Sequence, residues 1–149
     1  FFDKNIQLIW QTGKPNAEVY ANSAHNYKNV FVHSFIDNMS AAYVAADIVI
    51  SRSGAMAVSE ICITGKPAVF VPYPLAAEDH QTFNAMTLVN NNAAAIVKDK
   101  EVGNDLIPSV LQLLGNEQQM QTMQNNIKAF AFSNADEIIA KEILKQINE

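Results

Sequence analysis

The sequence predicts an α/β fold, a Rossmann-like, doubly wound parallel sheet, and three observations carry that prediction. Short apolar runs of strand character alternate with longer helical patterns. The connections between them are brief, as in βαβ units. One run, AVFVP at residues 68–72, has no polar alternation, as expected of a strand covered on both faces. At 149 residues the chain is about one domain long, enough for a core and too short for two full α/β domains.

The elements follow in order. Residues 6–11 (IQLIWQ) read as a strand, closed by Thr12-Gly13-Lys14-Pro15. Residues 16–27 form a polar, weakly periodic helix. Residues 29–35 (NVFVHSF) are a second strand and 38–46 a short helix. A third strand spans 48–51, followed by a helix over 54–64 that Gly65-Lys66-Pro67 stops. The strand at 68–72 leads to a helix over 80–91, then a short strand over 94–97. The remainder is helical, at 106–114, 118–130 and 135–147, with no strand between these pieces. Those last helices are expected either to cover the sheet or to reach towards other parts of a longer molecule.

The stretch DIVISRSGAMAVSE, residues 47–60, is the most informative. An apolar strand breaks into Arg52-Ser53-Gly54-Ala55 and resumes as a helix containing Glu60. In open parallel sheets, ligands bind beyond the strand carboxyl ends, where helices present their N-termini. Gly54 lets backbone approach a ligand with no side chain in the way. The N–H groups of Gly54 to Ala57 then point outward with the positive end of the helix dipole behind them, an anion site made of backbone. Glu60, six residues beyond Gly54, suits the two hydroxyls of a ribose. The competing reading is that Ser53 caps the helix and Gly54 merely makes the turn. Neither a P-loop lysine nor GxGxxG is present, so context must decide.

Two further strand-end loops supply context. YPLAAEDHQTFNA, residues 73–85, carries Glu78, Asp79, His80, Gln81 and Asn84. His80 and Gln81 can donate and accept hydrogen bonds to sugar hydroxyls; alternatively, Asp79 caps the next helix and the others face solvent. In HSFIDNM, residues 33–39, the backbone of Phe35 and Ile36 can pair with a nucleobase edge, or these residues are simply core.

Other classes of function are disfavoured. A formal net charge of −5 argues against generic nucleic-acid binding. No run of about eighteen apolar residues exists to span a membrane. The start, FFDKNIQLIWQTGK, is not a signal peptide and lacks an initiator methionine, so the chain is expected to be a piece of something longer. The single cysteine, Cys62, lies in an apolar helical pattern and is read as a buried, inert thiol. Histidines 25, 33 and 80 lack metal-ligand spacing, and the acidic residues form no DxD-type cluster. Neither a metal nor a cofactor is implied, and no Ser-His-Asp, Cys-His or GxSxG arrangement occurs. Trp10 and the phenylalanines at 31, 70 and 83 are expected in the core.

The motifs FIDNM, RSGAMAVSE and DHQTFNA, in that order and spacing, resemble the MurG family. These are bacterial UDP-N-acetylglucosamine transferases acting on undecaprenyl-diphospho-muramoyl pentapeptide. The resemblance runs from Gln11-Thr12-Gly13 to the terminal helices, and it decides the open readings for function. It implies the C-terminal, nucleotide-sugar-binding half of a GT-B glycosyltransferase. The family's first strand, its glycine-rich donor loop and its acceptor domain with the candidate base would lie before Phe1. By resemblance, Ile36 reads uracil through its backbone with Phe35 and Met39 nearby, and Glu60 binds the ribose. Ala55, Met56 and Ala57 offer backbone N–H groups to the diphosphate at a turn shaped by Arg52, Ser53 and Gly54. His80 and Gln81, with Asn84 close by, contact the N-acetylglucosamine. Ala57 stands where some members have threonine and His80 where some have glutamine.

The implied partners are UDP-GlcNAc, an undecaprenyl-linked acceptor held by the missing domain, and the cytoplasmic face of the bacterial inner membrane. No catalytic base is expected within these residues, and the isolated chain is expected to be inactive. Two other readings are a donor-binding subunit of a two-chain GlcNAc transferase and a UDP-GlcNAc epimerase-like domain. The FIDNM and DHQTFNA runs fit the epimerase less well.

Overall fold

The computed structural model describes residues 5–147. The chain divides into two compact units, residues 1–47 and 48–149.

In the first unit, β1 (Leu8–Gln11) pairs in parallel with β2 (Val30–His33), Leu8 opposite Val30 and Gln11 opposite His33. Gly13, with φ of 76°, turns the chain into a short 3₁₀ segment carrying Pro15 in its first turn. There follow α1 (Ala17–Ala24) between the strands and α2 (Met39–Ala45) after β2. α2 starts at Met39 because the Asn38 side chain accepts the Ala41 N–H at 3.0 Å. Alternate residues of both strands are exposed, as period-2 geometry requires of a sheet with one open face. Trp10 meets the Tyr20 ring at 4.7 Å. Among the described residues of this unit, only Ala24 and Tyr43 are buried hydrophobics.

The second unit holds β3 (Val49–Ser51), β4 (Ala68–Phe70) and β5 (Ala95–Ile96), parallel and adjacent in sequence order. Between them run α3 (Ala55–Thr64) and α4 (His80–Val89). Both crossovers step the same way across the sheet, so right-handedness puts both helices on one face, where they touch. β4, flanked on both sides, is wholly buried, which accounts for its unalternating composition. Ile61, Cys62, Phe70, Leu88 and Ile127 are all at most 1% exposed. α5 (Ile107–Leu114) and α6 (Glu117–Ile127) add Val110, Leu113 and Met123 to this core, while α7 (Ala135–Ile147) buries nothing.

Gly65 ends α3 in the left-handed region, φ 65°, its N–H donating to the Ile61 and Cys62 carbonyls at 3.0 and 3.2 Å. A Cβ there would lie 2.5 Å from Cε of Lys128, so the lysine stem covers the turn closely.

The expected parallel α/β class is found, with the described strands grouped by hydrogen bonding into two parallel sheets, β1–β2 and β3–β4–β5. Other expectations are corrected. Phe31 and Phe83 are exposed, at 45% and 69%, and only Phe70 of the three phenylalanines is core. Phe31 falls on the open face of β2, and Phe83 lies off the α4 stripe defined by Ala85 and Leu88. Short 3₁₀ turns at Ala77–Asp79 and Asp99–Glu101 occupy stretches expected to be loop, and a π turn at Val102–Leu106 runs into the helix expected from Leu106. Among the described residues no helix is long and apolar enough to cross a membrane.

Candidate functional site

The strand register decides which loops meet in the second unit. Ser51 stands opposite Phe70, and Phe70 opposite Ile96, so all three strands end in one row. The ladder continues one step further, with Val71 N–H donating to Ser51 O at 2.8 Å and Val97 N–H to Phe70 O at 2.9 Å. Residues 52–54, 71–79 and 98–99 therefore share the carboxyl edge of this sheet.

At the head of α3 the first intrahelical bond runs from Val58 N–H to Gly54 O at 3.0 Å. The amides of Ala55, Met56 and Ala57 precede that ladder, and no side chain caps the helix at Gly54. Met56 is 78% exposed and Ala55 is also exposed. The arrangement presents amide hydrogens and the positive helix end at one place, which is what an anionic oxygen requires.

Ser53 is not the cap. It is 0% exposed; its hydroxyl donates to Gln81 O at 2.8 Å, and its carbonyl accepts from Asn84 Nδ2 at 3.0 Å. Because a buried hydroxyl needs a partner, Ser53 binds the turn to the first coil of α4 instead of reaching the helix amides. The amide nitrogen of Asn84 is spent in the same lock. Gln81 Oε1 accepts the Tyr73 N–H at 3.0 Å, and Gln81 Nε2 is the nearest atom, at 4.0 Å, to a Cβ built on Gly54. Gln81 thus turns its donor end towards the start of α3.

The entry to α4 is unusual. Glu78 and Asp79 both adopt left-handed backbone, with φ of 49° and 54°. Thr82 Oγ1 donates to Asp79 Oδ1 at 2.6 Å, so Asp79 holds the turn through a hydroxyl, not through the helix amides. His80 Nδ1 lies 2.6 Å from Ala77 O. A carbonyl only accepts, so Nδ1 carries a proton and donates to it, leaving Nε2 for other partners. Glu60 lies on an exposed position of α3, under two turns from Gly54.

Arg52 was not expected to be so occupied. Its Nη1 donates to Val71 O at 3.1 Å, Pro72 O at 3.2 Å and Asp99 Oδ1 at 2.5 Å, and Cζ sits 5.6 Å from the Tyr73 ring centroid. Asp99 and Tyr73 are the residues that sequence reasoning missed. Asp99 lies 47 positions from Arg52, beyond the reach of any local pattern. Burial pushes the Cys62 thiol above its ordinary value, which keeps it protonated and unreactive.

In the first unit, Phe35, Ile36 and Met39 follow β2 together; Phe35 is 60% exposed, and the other two are half-buried. The Ile36 N–H donates to Gln11 Oε1 at 2.8 Å. A backbone group expected to face a ligand is therefore held by the end of β1.

The sequence matches the model of the glycosyltransferase family 28 C-terminal domain over residues 2–139. A UDP-N-acetylglucosamine–N-acetylmuramyl-(pentapeptide) pyrophosphoryl-undecaprenol N-acetylglucosamine transferase of Bacteroides fragilis is 44% identical over 144 residues, covering 95% of this chain and 38% of the relative. The transferase of the same name from Parabacteroides distasonis is 40% identical, covering 100% of this chain and 41% of the relative. The crystal structure of Acinetobacter baumannii MurG superposes with a TM-score of 0.82 at 30% identity, over 96% of this chain and 43% of that one. The glycosyltransferase VinC, solved with DTDP, shares the fold at a TM-score of 0.68 and 16% identity, over 86% of this chain and 30% of its own. The chain spans about two fifths of the length of the curated relatives it matches. It belongs to the glycosyltransferase family 28 C-terminal domain family.

Proposed function

We propose that this chain is the donor-binding domain of an inverting glycosyltransferase. It moves N-acetylglucosamine from UDP-GlcNAc to a lipid-linked muramoyl pentapeptide in peptidoglycan synthesis. The observation that carries the reading is 44% identity, across 95% of the chain, to a transferase named for that reaction. The uncapped head of α3 supports it chemically.

The amides of Ala55, Met56 and Ala57 receive the diphosphate, with Gly54 admitting it closely. Glu60 accepts hydrogen bonds from the ribose hydroxyls. Gln81 Nε2 and His80 Nε2 suit a sugar carrying neighbouring hydroxyls. Arg52, Ser53 and Asn84 form the frame that keeps these groups in place. In the first unit, the family resemblance assigns the uracil to the Ile36 backbone beside Phe35 and Met39. That role requires the Gln11 side chain to give up the Ile36 N–H.

In the reaction, the acceptor C4 hydroxyl attacks the anomeric carbon from the face opposite UDP. A base outside the residues assigned here takes the hydroxyl proton, and UDP departs with the bonding electrons. Negative charge grows on the β-phosphate as that bond breaks. Amides already aimed at it stabilise the charge without reorganising. Such a protein works at the cytoplasmic face of the bacterial inner membrane, where a lipid-linked acceptor is presented.

Calorimetric titration with UDP, UDP-GlcNAc and UDP-GalNAc, with ADP as control, tests the reading. UDP and UDP-GlcNAc should bind, UDP-GalNAc more weakly, and ADP not measurably. Equal affinity for ADP and UDP would refute it.

A further inference from the structure

Arg52, Tyr73 and Asp99 lie on three different segments of the carboxyl edge, after β3, β4 and β5 respectively. One guanidinium nitrogen joins them: Nη1 of Arg52 donates to the Val71 and Pro72 carbonyls at 3.1 and 3.2 Å and to Asp99 Oδ1 at 2.5 Å. Two consecutive carbonyls aimed at one point need a donor there. Arg52 Nη1 supplies that donor. Asp99 supplies the opposite charge, and the Tyr73 ring lies 5.6 Å from the guanidinium carbon.

The consequence passes to the site through one more bond. The Tyr73 N–H donates to Gln81 Oε1 at 3.0 Å, which turns Gln81 Nε2 towards Gly54. From Asp99 to Arg52, to the backbone of residues 71–73, to Gln81, every link is a hydrogen bond or a peptide bond.

We infer that Asp99 is a positioning residue for the donor site: through Arg52 it holds the segment after β4 so that Gln81, assigned above to the sugar, aims its amide donor towards the head of α3. The inference rests on the donor-binding reading above. Arg52 Nη1 then acts as a strut between the strand-end segments.

The test is UDP-GlcNAc titration, thermal unfolding and amide hydrogen exchange over residues 71–75, with variants made in the full-length protein. Asp99→Ala should weaken UDP-GlcNAc binding about fivefold, the upper end for a partly exposed pair, and Asp99→Glu should return it to within about twofold. Exchange at Tyr73 should accelerate in Asp99→Ala and recover in Asp99→Glu. The exchanged pair, Arg52→Asp with Asp99→Arg, separates positioning from charge pairing. It rebuilds an ion pair, but the carboxylate then at position 52 cannot donate to the Val71 and Pro72 carbonyls. The melting temperature should recover while UDP-GlcNAc affinity stays low. Full recovery of affinity in the exchanged pair, or unchanged affinity in Asp99→Ala, overturns the inference alone. Absence of UDP-GlcNAc binding by the unsubstituted protein removes the donor-binding reading and this inference with it.

Discussion

The two units of the chain are built to different standards of closure. In the second, a wholly buried central strand lies among two helices and later helical layers, and the polar groups at its carboxyl edge are bonded to one another. In the first, a two-stranded sheet leaves every second residue exposed, and two hydrophobic residues are buried. A two-stranded sheet has marginal stability alone, because it removes little apolar surface from water. The difference teaches that the closely bonded, buried framework resides in residues 48–149, whereas the first unit exposes much of its two-stranded sheet.

The largest test of that contrast is Phe70→Ala, which removes a ring that is 0% exposed. It should cost about 3–5 kcal/mol in denaturant unfolding, whereas Phe31→Ala on the open face of β2 should cost under about 0.5 kcal/mol. Equal costs would erase the distinction between the units.

Next, Glu60→Ala in the full-length protein should weaken UDP-GlcNAc binding by about 1–3 kcal/mol, the loss of a charge-assisted hydrogen bond. Unchanged donor affinity in calorimetry would remove Glu60 from the site.

Gly65→Ala sharpens the rigidity half of the comparison. Left-handed backbone and the Lys128 stem 2.5 Å from the new Cβ both oppose it. It should lower stability by about 1–2 kcal/mol. Gly103→Ala, with nothing within 4 Å of its Cβ, should leave the melting temperature nearly unchanged.

Gln11→Ala probes exchangeability in the first unit. On the proposed uracil role of Ile36, releasing its N–H should strengthen UDP binding by about 0.5–1 kcal/mol, since the nucleobase would no longer compete with a side-chain amide. Weaker binding would mean that Gln11 assists the base.

The smallest effect concerns pH. Burial holds the Cys62 pKa above its unfolded value. The resulting stability is fully present below the ordinary thiol range and is lost as pH rises through and beyond it. Melting temperatures of Cys62→Ala and the unsubstituted chain should therefore run parallel below about pH 8 and converge above it.

Most element positions were legible in the sequence because they depend on neighbours a few residues apart. Gly65-Lys66-Pro67 announced the end of α3, and AVFVP announced a doubly covered strand. The site was legible as a set of segments and not as a set of bonds. Ser53 looked like a cap because a serine before a helix usually is one, yet here the hydroxyl finds a carbonyl 28 positions away. Arg52 looked like part of a turn until Asp99 arrived from the far side of β5. Phe83 looked like core because aromatic residues usually are, but its place on α4 faces outward. In each case the deciding contact joins residues far apart in sequence, which no periodicity records.

The bond from Ser53 to Gln81 and the return bond from Asn84 carry a lesson for anyone wishing to retune sugar preference. Residues 52–54 and 80–84 behave as a single cassette, since each half supplies the other's missing hydrogen-bond partner. Transplanting one half from a relative leaves a hydroxyl or an amide stranded in the interior. Recombination that respects the cassette keeps both bonds intact.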